Sequence, residues 1–72
     1  MSTTYRVILA ADSGSCASIA IAESAGGFAK NQVAAFDGTN DLAFIEVPDA
    51  ESAAVLESLM DGDANVVSYK VA

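Results

Sequence analysis

An Asp37-Gly38 pair near the middle of this sequence separates two apolar runs, residues 31–36 and 42–47, and it restricts the fold more than any other feature. Asp-Gly readily takes the backbone angles of a tight reversal, so the pair predicts a hairpin. A competing pattern places Ala25, Phe28, Ala29, Val33 and Phe36 on one helical face. Gly26-Gly27 is a poor helix start, and the hairpin is the preferred reading.

Similar units flank the hairpin. Residues 5–11 are apolar and carry Tyr, Val and Ile, the composition of a first strand. Asp12-Ser13-Gly14-Ser15 is a turn cluster able to cap a helix over 16–25, which Gly26-Gly27 would stop. In that helix Ile19 and Ala22 would face the core. Ile19 and Ile21 also alternate as in a strand, so that segment stays open between the two. After the hairpin, Pro48 ends the strand, Asp49 is a good N-cap and Glu51 suits the positive end of a helix. Ala53, Leu56, Leu59 and Met60 make an apolar stripe, and Gly62 ends it. Residues 65–71 read as the last strand, with Val67, Tyr69 and Val71 on one face and Val66, Ser68 and Lys70 on the other. The order β-α-β-β-α-β predicts a single ferredoxin-like α+β domain over 1–72, a four-stranded antiparallel sheet with two helices on one face.

A 72-residue domain has a thin core, and its hydrophobic fraction of 53% excludes disorder. One cysteine cannot make an internal disulfide, and no Cys/His cluster offers zinc, so self-association is the support that remains. The formal charge is −7, with only Arg6, Lys30 and Lys70 positive. Three scattered cations argue against nucleic acid and against an anionic membrane as partners. The longest apolar runs are far below the ~20 residues of a membrane span. The first residues lack the pattern of a signal peptide. With the free cysteine, these features favour a reducing cytoplasm or a particle assembled there.

Two strands are apolar on both sides. The first carries Tyr5, Val7 and Leu9 opposite Arg6, Ile8 and Ala10, and the third carries Leu42 and Phe44 opposite Ala43, Ile45 and Val47. A half-solvated antiparallel strand alternates more cleanly. The expectation is an apolar sheet face that binds a second copy, with Tyr5, Val7, Leu9, Phe44, Tyr69 and Val71 as its contributors. A ligand-binding or enzymatic dimer with a pocket between the sheets is the alternative.

Little else in the chain carries chemistry. Without histidine, Ser-His-Asp and Cys-His arrangements are excluded, and no catalytic set, cofactor or metal is assigned. Cys16, beside a helix start, is either a reactive thiol or a small buried hydrophobe. The Ser13-Gly14-Ser15 turn has no lysine of the phosphate-loop kind after it and reads as a capped turn. Asp61-Gly62-Asp63-Ala64-Asn65 opens like a calcium loop, but Val66 and Ala72 stand where that loop needs Gly and Glu. Glu46 either faces an inter-subunit surface, where desolvation would raise its pKa, or lies at a strand edge and reaches solvent or pairs with Lys70 or Arg6.

The expected sheet-to-sheet pairing resembles dimeric α+β barrels. The segment Ser13-Gly14-Ser15-Cys16-Ala17-Ser18-Ile19, followed by the hairpin and the Pro48-Asp49 helix, resembles heavy-metal-associated domains. Their Cys-x-x-Cys pair binds soft metals, but Ile19 replaces the second cysteine and no metal is carried over. Tyr5-Arg6-Val7-Ile8, the helix from Asp49 and Val66-Val67-Ser68-Tyr69 resemble subtilisin-propeptide-type inhibitors, which implies a protease-inhibitor or chaperone role.

Overall fold

A computed structural model of the chain describes residues 2–10, 14–33 and 37–72, with side chains described over 2–10, 17–30 and 37–72. The elements are β1 (Thr3–Ala10), α1 (Gly14–Ser24), β2 (Phe28–Val33), β3 (Asn40–Val47), α2 (Ala50–Asp61) and β4 (Val66–Val71). The four strands form one sheet in the order β2-β3-β1-β4, every neighbouring pair antiparallel. This is the ferredoxin-like α+β fold expected from the element order.

Local chemistry sets the elements. Asp49 stays extended at φ −153° and accepts the Ser52 amide at 2.7 Å on Oδ1, which starts α2. That bond holds the Asp49 carboxyl below its ordinary pKa. Helix α1 ends in a double closure, with the Gly26 amide on the Glu23 carbonyl and the Gly27 amide on the Ala22 carbonyl. Such a closure needs a left-handed residue, and Gly26 supplies it at φ +77°. Gly27 then passes tight against β3, where a Cβ would stand 2.2 Å from the Glu46 carbonyl oxygen.

The hairpin forms, shifted from its expected frame. Strand β2, described over Phe28–Val33, starts three residues before the expected 31–36, and residues 34–36 lie outside the described ones. On the turn, Asp37 Oδ1 accepts the Thr39 and Asn40 amides at 3.0 and 2.9 Å. Those bonds hold its pKa below the usual value, and β3 starts from Asn40. The helical alternative is not adopted over the described part of 25–36, where the chain is extended from Phe28 to Val33.

The core lies between the sheet and the helices. Tyr5, Val7 and Leu9 of β1 and Ala43, Ile45 and Val47 of β3 are buried against Ile21, Ala22 and Ala25 from α1 and its end, and Leu56 and Met60 of α2. Of the two residues expected to face the core from α1, Ala22 does and Ile19 does not. Ile19 is 45% exposed, whereas Ser18, Ile21 and Ala22 are buried. Ala22 with Ile21 and Ser18 gives a flat inner side that approaches the sheet closely. Leu59 is also displaced outward, with Leu56 and Met60 taking the buried positions.

Both edge strands carry an irregularity. In β4 the register to β1 shifts between Ile8 and Leu9, so Val66 pairs with Leu9 while Ser68 pairs with Ile8. Val67 is the extra residue, and Val66 packs on the core beside Tyr69 instead of facing away from it. In β2 a similar shift falls between Ala29 and Asn31.

Two tyrosines tie α2 to this edge. The Tyr5 hydroxyl donates to Glu57 Oε2 and the Tyr69 hydroxyl to Asp61 Oδ1 at 2.6 Å, with the rings edge to face at 6.1 Å. Both hydroxyls are pushed up to about 12: Tyr5 by burial and then its bond to Glu57, Tyr69 by its bond to Asp61 and then desolvation.

Two outcomes follow from these contacts. Gly27→Ala is expected to lower unfolding free energy by about 1–3 kcal/mol in urea titration, since the strand or the helix end must shift to admit the methyl. Unfolded tyrosine ionises near 10.0, so the tyrosine contribution is complete below about pH 10 and disappears as pH rises toward 12. Urea midpoints should therefore fall across that alkaline window, and fall less in Tyr5→Phe.

Candidate interaction surface

The pleat that buries Tyr5, Val7 and Leu9 turns Thr4, Arg6 and Ile8 to the opposite side of the sheet. No described helix covers that side. Register builds three rows across it. Phe44, Arg6 and Lys70 stand abreast, as do Leu42, Ile8 and Ser68. Thr4 pairs with Glu46, which pairs in turn with Phe28. The face thus holds an apolar set, Ile8, Leu42, Phe44 and Phe28, of which Phe28 is 55% exposed.

Charge is unevenly placed around this set. Arg6 and Lys70 lie on the face by register, and Lys30 reaches it by pairing with Glu46 at 3.1 Å. These are all the lysines and arginines in the chain. Glu46 is held below its ordinary pKa, first by the Lys30 hydrogen bond and then by Ser2. A groove of about 340 Å³ crosses the face along Arg6, Ile8, Ser68, Tyr69 and Lys70. A second, of about 370 Å³, lies at the end of α2 and is lined by Met60, Asp61, Asp63 and the start of β4.

The residues expected to form the contact divide between the two sides of the sheet. Tyr5, Val7 and Leu9 are 2%, 0% and 0% exposed beneath the helices and have no surface left for a partner. Of the expected six, Phe44 lies on the open face. Tyr69 is half-buried on the helix side, and Val71 is exposed at the β4 edge on that same side. Glu46 is on the open face and pairs with Lys30, a partner the sequence did not suggest. Its pKa moves down, because its ion pair outweighs its desolvation. Cys16 falls in α1, and its side chain lies outside the described ones, as do Asp12 and Ser13 of the expected capping turn.

Sequence reading missed Ile8, Leu42 and Phe28 as open-face residues. The signal was Arg6: a charged residue in a central strand marks the wet side, and the uninterrupted Tyr5, Val7, Leu9 side is the one helices can cover. The acidic loop after α2 is used internally. Asp61 accepts from Tyr69, and Asp63 Oδ1 accepts the Asn65 amide at 2.8 Å.

No family model, curated protein or solved structure matches the chain. Among the described residues no helix is long and apolar enough to cross a membrane.

The assignment of faces predicts contrasting costs. Leu9→Ala should lower stability by about 2–5 kcal/mol, the cost of a core cavity. Phe28→Ser, measured in dilute protein, should stay within about 0.5 kcal/mol of the parent. Equal losses in the two variants would show that the faces are misassigned.

Proposed function

We propose that this chain is a small, non-enzymatic protein-interaction domain that self-associates through the open face of its sheet. The observation that carries the reading is the apolar set Ile8, Leu42, Phe44 and Phe28 on three neighbouring strands, uncovered by any described element. Contiguous apolar surface of this kind marks contact sites. Covering it with a second copy would also supply burial that one thin core lacks. A homodimer is the simplest such assembly. The single cysteine fits a reducing, cytoplasmic setting.

A second reading takes the groove over Arg6, Ser68 and Lys70 as a place for a small anionic ligand between associated copies. Two cations and a hydroxyl on adjacent strands are the chemistry that would hold a carboxylate or phosphate. It depends on the first reading, because the groove is open until a second copy closes it.

Sedimentation equilibrium from micromolar to millimolar protein tests the main reading. The expected mass rises above the 7.3 kDa of one chain, and Phe44→Glu holds it there. A parent chain that stays at one-chain mass throughout would defeat self-association.

A further inference from the structure

We infer that the surface covering the open face is the acidic helix layer of the next copy, so that copies pack head to tail instead of sheet to sheet. This rests on the self-association through the open face proposed above and replaces its simplest form, the two-fold homodimer, with a ring or stack. The first observation is the segregation of charge. All three cations, Arg6, Lys30 and Lys70, belong to the sheet face, so the helix layer has no lysine or arginine. That layer instead exposes Glu23 on α1 and Glu51, Glu57 and Asp61 on α2.

The second observation is that two sheet faces do not complement each other. Among the described residues each would bring Arg6 and Lys70 beside the Lys30–Glu46 ion pair at 3.1 Å, a net positive formal charge. Like charges set against each other across an interface disfavour association. Against the helix layer the same cations meet carboxylates.

Apolar residues are available on both sides. Ile19, Val55 and Leu59 are 45%, 44% and 37% exposed on the helices, facing on the sheet side the 55% exposed Phe28 and the half-buried Phe44 and Ile8. Size permits the contact. The molecule measures 33 × 21 × 17 Å, so a broad face is bounded by a rectangle on the order of the ≈ 800 Å² per partner of a standard interface. A contact between two different surfaces closes into a ring or continues as an open stack.

Two blocked variants separate the geometries. Phe44→Glu, with Phe28→Glu as a second version should the first fail to fold, blocks the sheet face. Val55→Lys with Leu59→Lys blocks the helix layer at positions already exposed. Circular dichroism checks that each is folded, and sedimentation velocity at low salt reads the mass. The parent chain should associate and weaken as salt rises. Each blocked variant alone should remain a monomer, and their equimolar mixture should form a one-to-one dimer, because each retains the face the other lacks.

A helix-blocked variant that dimerises alone would overturn head-to-tail packing while leaving self-association through the sheet intact. A sheet-blocked variant that associates like the parent would overturn both. A parent chain that stays monomeric at all concentrations would also overturn both.

Discussion

The side of β1 on which the helices lie determines nearly everything else in this molecule. Strand β1 is hydrogen-bonded on both edges, to β3 and β4, so its alternation is imposed on the whole sheet. Once Tyr5, Val7 and Leu9 go under α1 and α2, Arg6 and Ile8 must go the other way. Register then carries Phe44, Leu42, Ser68 and Lys70 with them. The core and the open face are thus one decision. What favours this choice is the cost of stripping water from a guanidinium, which Arg6 avoids on the open side.

This explains how much of the fold could be read from residues alone. The capped α2, the turn at Asp37 and the glycine stop after α1 were legible because each depends on local chemistry: a side-chain oxygen on an amide, or a residue without Cβ. The face of β1 was harder. Both of its sides are apolar enough to be buried, and only the helices decide between them. The start of β2 was hidden for a related reason. Gly26-Gly27 closes the helix within two residues, so Phe28 is extended at once, and the shift between Ala29 and Asn31 is a tertiary fit to β3. The Val66 reversal likewise needs the bulge at Val67, which nothing in an alternating run announces. In α1 a run of small residues allows several inner sides, and contact with the sheet selects the one through Ser18 and Ala22.

The tyrosine pairs show a small protein using one element for two purposes. Glu57 and Asp61 lie one turn apart near the negative end of α2, an arrangement that disfavours the helix by itself. The hydroxyls of Tyr5 and Tyr69 donate to them, so the sheet stabilises the helix end while the helix covers the sheet. Acidity on the outside of the molecule is therefore partly anchored from within.

The two register shifts have a further consequence. They sit on β2 and β4, the strands whose outer edges are unpaired, whereas the β1–β3 pairing between them is regular over its length. Bulges twist an edge away from the straight ladder another strand would need, and a lysine on an edge strand discourages its approach; β2 bears Lys30 and β4 bears Lys70. Lateral growth by added strands, the route to amyloid-like fibrils, is thereby impeded in the hydrogen-bonding direction. The direction left open is the one perpendicular to the sheet, where side chains alone choose the neighbour.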